Sequence, residues 1–246
     1  MTPLHIILNL IQDDDNDALC PHLWKSEEED LKKIRYIALL TFVFLSTFAG
    51  AANKKVIVID PGHGGWDPGK ISSNGHEEAD INLAIAKKLQ FYLEHGGAVT
   101  FLTRSSDEAL ANKKRADLAA RVAFVSDFDA DLFISIHQNA FEQPSVRGAQ
   151  VFYYEGSEDG KALAEAIQKS IQTVADKENK MSVKGGTSYF ILKESASPAV
   201  IVECGFLTNQ RDLENLTTDQ YQEKLAWSIY LGIVDYFDLK DGDVSP

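Results

Sequence analysis

Cysteine is scarce: the chain of 246 residues has only Cys20 and Cys204. Two cysteines so far apart make no disulfide framework and no paired-cysteine metal knuckle. Basic side chains are also few, 24 Lys and Arg against 37 Asp and Glu, for a net charge of −13. Nucleic-acid binding needs a basic face against phosphate, so no nucleic-acid partner is expected. No His-Glu-x-x-His pair occurs, which excludes the helical metal site of common metalloproteases. No internal repeat is visible. What is present suffices for a large core: 44% of the residues are hydrophobic and 10% aromatic.

Residues 1–53 do not read as folded domain. Acidic clusters at Asp13-Asp14-Asp15 and Glu27-Glu28-Glu29-Asp30 precede a basic stretch, Lys32-Lys33-Ile34-Arg35. A charge-free apolar run, Tyr36 to Phe48, follows and ends in Ala49-Gly50-Ala51. This is the pattern of a secretory signal peptide, with cleavage expected after Ala51 and export across the cytoplasmic membrane to the periplasm, the cell envelope or the medium. An uncleaved anchor is the alternative, although the run is short against the ~20 residues of a span. The acidic residues ahead of the basic head are unusual for such a leader and suggest a later natural start, near Leu31. Cleavage would leave Cys204 alone. Its neighbours Val202 and Phe206 make it a buried, unreactive thiol.

Residues 54–240 read as one domain, with 241–246 as a tail. Lys55–Asp60, Ala98–Leu102, Leu132–Ile136, Gln150–Tyr154, Tyr189–Leu192 and Ala199–Val202 read as strands. Helices are expected from near Asp80, as N-cap, to His95-Gly96-Gly97, and over Ala109–Phe128, Lys161–Val174 and Asp219–Phe237. In the first helix Ile81, Ile85, Leu89 and Leu93 share one face. Strands and helices alternate, and several strands are apolar throughout. The expected fold is therefore a single α/β domain with a mostly parallel central sheet and helices on both faces.

Three polar residues follow apolar strands: His63 after Val56–Ile59, His137 after Leu132–Ile136, and Glu203 after Ala199–Val202. In an open parallel sheet those ends share one edge, where sites form. Glu78, ahead of the first helix, is reached from the same edge, although Glu77 and Asp80 compete for its role. His76 reads as a loop surface residue, and a core role is the competing reading for His137. Two imidazoles and a carboxylate suit catalytic zinc. Glu203, ionisable among apolar neighbours, is the hardest to explain structurally. Beside such an ion it would move a proton from water to a leaving nitrogen.

Four stretches together carry a resemblance: Val56-Ile57-Val58-Ile59-Asp60-Pro61-Gly62-His63-Gly64-Gly65, Glu78-Ala79-Asp80-Ile81-Asn82-Leu83, Phe133-Ile134-Ser135-Ile136-His137-Gln138-Asn139-Ala140 and Val202-Glu203-Cys204-Gly205-Phe206-Leu207-Thr208-Asn209. In this order they resemble the zinc-dependent N-acetylmuramoyl-L-alanine amidases of the Amidase_3 family, over about residues 54–237. The resemblance implies zinc on His63, Glu78 and His137, with Glu203 as the catalytic carboxylate. It implies peptidoglycan as substrate, cut between the lactyl group of N-acetylmuramic acid and L-alanine. A monomer, with an activator protein, is the expected state. Arg104 and Arg121 match family positions and are expected to be structural. Lys70 and Cys204 depart from the small or aliphatic residues usual there. The short loop Ala140–Arg147 leaves no room for the inhibitory helix of division-type members, and the small layout resembles CwlD-type amidases of spore-cortex synthesis. A zinc peptidase acting on stem peptides and a non-catalytic wall-binding protein are the competing functions.

Overall fold

The computed structural model describes residues 54–242. The leader, its cleavage site after Ala51 and residues 243–246 of the tail lie outside the described residues.

Six strands form one sheet in the order β2-β1-β3-β6-β4-β5. They are β1 (Val56–Pro61), β2 (Val99–Leu102), β3 (Leu132–Asn139), β4 (Gln150–Tyr154), β5 (Lys184–Gly186) and β6 (Ala199–Phe206). The β1–β2, β1–β3, β3–β6 and β4–β5 ladders are parallel, and only β4–β6 is antiparallel. Ile57, Ile59, Leu132, Ile134, Val200 and Val202 pack on one face with α1 (Glu78–His95), α3 (Glu158–Ser170) and α6 (Asp219–Gly242). Val58, Phe133 and Ile201 face the other way, toward α2 (Lys114–Asp127) and α4 (Phe190–Glu194). Both faces are covered, which is why the central strands are apolar at successive positions.

Several boundaries differ from the sequence expectation. Asp80 is not the N-cap of α1. The helix begins at Glu78 behind an extended Glu77 that makes no side-chain cap. The first free N–H groups instead bond to the preceding loop: Glu78 N donates to Lys70 O at 2.9 Å and Ala79 N to Pro68 O at 3.1 Å. Asp80 sits exposed in the first turn, where a negative charge suits the helix dipole. At the other end His95 behaves as expected, its Nδ1 lying 2.8 Å from the Phe91 carbonyl.

Residues 109–113 are loop rather than helix. Asp117, inside α2, holds them by accepting from Leu110 N at 2.7 Å. The segment read as a strand at Tyr189–Leu192 is mostly α4. It packs Ile191 and Leu192 on the sheet, whose edge is already taken by the glycine-rich β5. A further helix, α5 (Gln210–Leu216), starts where the Asn209 side chain accepts from Asp212 N at 3.0 Å. Strands β3 and β6 outrun their apolar parts, so His137 and Glu203 lie within the ladder and not beyond it. They are register partners.

Candidate metal centre

The site begins where β1 stops. Val56 to Ile59 is a buried strand, and Pro61 and Gly62 turn the chain at its end. A Cβ on Gly62 would stand 2.2 Å from His137 Cε1 and Nε2, so the His137 ring can lie against this backbone only because residue 62 is glycine. The next residue, His63, holds a left-handed conformation with φ 62. Such a backbone is costly for a side chain larger than glycine and needs support from its surroundings.

Two buried arginines give that support. Arg104 donates to Pro61 O at 2.8 Å and, through Nη2, to Gly62 O at 3.0 Å and Ala79 O at 2.8 Å. Arg121 donates to Asp60 Oδ1 and Pro61 O at 2.8 Å and to His63 O at 2.7 Å, and it pairs with Asp117 at 2.7 Å. Burial alone would raise the Asp60 carboxyl pKa. The Arg121 charge and hydrogen bonds from Thr103 and Ser135 outweigh it and hold the pKa below the usual carboxylate range. Thus the turn that carries His63 is pinned from β1, from α2 and from the loop after β2. The structural role expected for both arginines agrees with these contacts.

Glu78, the first residue of α1, is buried and lies between the two imidazoles. Its Oε1 is 3.2 Å from His63 Nε2 and 3.0 Å from His137 Nδ1. The three ligand atoms all lie within 4.8 Å of one another. Burial works to raise the Glu78 pKa, but His137 and His63 outweigh it and the carboxyl stays ionised far below its ordinary value. Burial likewise opposes charge on His137, yet Glu78 prevails and raises its pKa. Both shifts have one cause: the Glu78 carboxylate and the His137 imidazole stabilise each other's charged form. His76 is exposed and outside the cluster, as expected for a surface loop.

Backbone groups fix the carboxylate. Lys70 N donates to Glu78 Oε2 at 2.8 Å, and Gln138 N to Glu78 Oε1 at 3.0 Å. Gly69 lets this loop approach, since a Cβ there would stand 2.6 Å from Glu78 Oε2. Beneath, Asn82 donates to Gly62 O at 3.1 Å and accepts from Gln138 Nε2 at 3.1 Å. Asp67 is a site residue that the sequence reading missed. Its Oδ2 lies 2.9 Å from His63 Nδ1, the nitrogen turned away from Glu78. The contact has ion-pair distance without hydrogen-bond alignment, since Nδ1 has no hydrogen-bond partner; a small ring rotation would let the carboxylate fix the ring and strengthen the other nitrogen as a metal ligand. The available signal was its spacing, four residues after His63 in the same turn.

Glu203 stands across from His137 in the ladder, on the same face of the sheet. Its Oε2 is buried and has no hydrogen-bond partner. Burial is the main reason its pKa rises to about 7; His137 pulls it down and Glu78 pushes it up. A cavity of about 340 Å³ opens beside both residues, with Leu118, Tyr189, Phe190 and Ile191 in its wall. These apolar neighbours explain why the carboxylate is poorly solvated.

The Amidase_3 family model, described as N-acetylmuramoyl-L-alanine amidase, matches residues 57–235. The germination-specific N-acetylmuramoyl-L-alanine amidase of Bacillus subtilis is 34% identical over 194 residues, covering 76% of this chain and 81% of that protein. Among solved structures, the CwlD amidase of Clostridioides difficile, in complex with the GerS lipoprotein, is similar at 40% identity and a TM-score of 0.72. It covers 76% of this chain and 100% of its own. The amidase AmiC2 of Nostoc punctiforme is similar at 34% identity and a TM-score of 0.69, covering 76% and 99%. The chain therefore belongs to the N-acetylmuramoyl-L-alanine amidases of the Amidase_3 family, hydrolases that cut peptidoglycan at the amide between N-acetylmuramic acid and L-alanine.

Proposed function

We propose that His63, Glu78 and His137 hold one zinc ion in this amidase, and that Glu203 is its catalytic carboxylate. The observation that carries the reading is the convergence of two ring nitrogens and one carboxylate oxygen within 4.8 Å, from three separate parts of the chain. The donor set fits the metal: two imidazoles and one carboxylate are a catalytic zinc set, which leaves a position open. Bound there, zinc would polarise the scissile carbonyl and acidify a water.

The protein's own part follows from the contacts. Asp67 orients His63 so that Nε2 faces the cluster. Gln138 N and Lys70 N fix the two oxygens of Glu78. Glu203, poorly solvated and without a donor on Oε2, takes a proton from water and passes it to the leaving alanine nitrogen. The wall of Leu118, Phe190 and Ile191 keeps bulk water from competing for that carboxylate.

In this reading residues 54–240 are the catalytic domain, exported behind the leader of residues 1–53, and the enzyme works at the cell envelope. The naming of its relatives as N-acetylmuramoyl-L-alanine amidases supports this. Among the described residues no helix is long and apolar enough to cross a membrane. A lipoprotein or other activator is a further proposed partner, supported by the similar clostridial amidase having been solved with a lipoprotein. The test is digestion of purified sacculi, with the new ends identified by mass spectrometry. Released peptides beginning with alanine support the amidase. Cuts only inside the stem peptide would make it a peptidase, and binding without any product a wall-binding protein.

A further inference from the structure

A second, larger cavity of about 630 Å³ lies on the side of α5. It is lined by Lys70 and Ser72 from the arm before α1, Phe141 and Glu142 from the loop after β3, and Thr208 and Glu214 near α5. Its walls are built into the fold. The arm is closed by a bridge between Ile71 and Glu77 and by Ser72 N donating to His76 O at 2.9 Å. Phe141 N donates to Thr208 Oγ1 at 3.0 Å, which joins the other two segments. The Lys70 main chain bonds to Glu78 in both directions: Lys70 N donates to Oε2 at 2.8 Å, and Lys70 O accepts from Glu78 N at 2.9 Å. Lys70 thus marks the end of the groove that adjoins the candidate metal centre.

The groove is lined by one cation and two carboxylates. The Lys70 side chain is exposed, and among the described residues its ammonium has no ion-pair partner. Glu142 and Glu214 are exposed carboxylates elsewhere in the lining. The cation of the lining belongs to the residue whose main chain bonds Glu78, and the two carboxylates come from other segments.

The substrate presents two polymers on either side of the scissile amide. The glycan carries no charge once its lactyl carboxyl is bound in that amide. The stem peptide carries a carboxylate on the residue after alanine and an amine on the diamino acid beyond it. Only the peptide has a use for a cation near the cut and carboxylates farther on.

We propose that this groove seats the stem peptide, with Lys70 pairing the carboxylate on the residue next to the scissile alanine; the proposal rests on the amidase reading above. An exposed pair of this kind is worth up to about 1 kcal/mol, or roughly fivefold in affinity. The test compares two N-acetylmuramoyl tripeptides, one with the second-residue α-carboxylate free and one with it amidated, using zinc-loaded protein. Wild type shows a KM roughly fivefold lower for the free acid, with similar kcat. Lys70→Met loses that preference, and Lys70→Arg keeps it. A wild-type enzyme with equal KM for both, or a preference that survives in Lys70→Met, overturns the assignment and leaves the amidase standing. Turnover of neither tripeptide by protein that does release alanine-ended peptides from sacculi overturns this assignment alone; failure in both assays overturns the amidase reading with it.

Discussion

Arg121 Nη2 donates to the carbonyl oxygen of His63 at 2.7 Å, while Nη1 of the same guanidinium pairs with Asp60 at 2.8 Å. One side chain therefore ties the first candidate ligand to the buried end of β1. Arg121→Met leaves Asp60 buried without its cation and frees a left-handed backbone. Loss of one partner of a buried pair costs about 3–5 kcal/mol. Urea unfolding should show that loss, and zinc should bind more weakly to the fraction still folded. A cost below about 1 kcal/mol would mean the turn is held by other contacts.

The same pair sets the behaviour in acid. The folded pKa of Asp60 is held below the ordinary carboxylate range. A carboxyl depressed on folding contributes stability that is fully present above the unfolded pKa and is lost as pH falls through the folded one. Urea melts between pH 7 and pH 2 should show a loss of stability starting near pH 4 and continuing below it. Asp60→Asn should flatten that part of the curve. An unchanged acid slope in the variant would show that other carboxylates account for it.

Asp67 is partly exposed and lies 2.9 Å from His63 Nδ1. Asp67→Ala should lower zinc affinity about 10- to 100-fold, measured by competition with a chelator. Its thermal unfolding without metal should fall only slightly, since its other side-chain contacts are a long bond from Gly69 N at 3.2 Å and a 3.6 Å pair with exposed Lys114. Equal zinc affinity would leave Asp67 as an ordinary loop acid.

Much of the fold is legible from apolar runs. Strands β1, β3 and β6 are continuous Val, Ile and Phe stretches because both faces of the sheet are covered. Helix α1 shows its fourfold spacing from Ile81 to Leu93. The missed pieces are those whose state is set by tertiary contact. Glycine-rich β5 has no apolar pattern, and it pairs only because the edge of β4 is open to it. Phe190–Glu194 is too short for periodicity to separate helix from strand. The site divides in the same way. His63, His137 and Glu203 follow apolar runs in the sequence, and that position flags them. The choice among Glu77, Glu78 and Asp80 depends on where α1 begins, and loop carbonyls fix that start. Asp67 sits in an irregular turn, where no repeat points to its direction.

Glu203 must be ionised to accept a proton, so its pKa of about 7 sets an acid limb. A divalent cation next to it favours the charged form and moves the limb lower. The kcat/KM of zinc-loaded enzyme should therefore fall with decreasing pH, with a midpoint at or below about 7. Glu203→Gln should lose turnover by about 10²-fold or more while keeping its zinc. Activity that rises as pH drops from 7 to 5, or a fully active Glu203→Gln, would remove this residue from the chemistry.

The central claim is that His63, Glu78 and His137 share one ion. Diffraction from zinc-soaked crystals, recorded on both sides of the zinc absorption edge, tests it directly. The account predicts a single anomalous peak about 2.0–2.2 Å from His63 Nε2, His137 Nδ1 and Glu78 Oε1. A zinc peak on other residues, or none at this cluster in zinc-replete crystals of active protein, would contradict it.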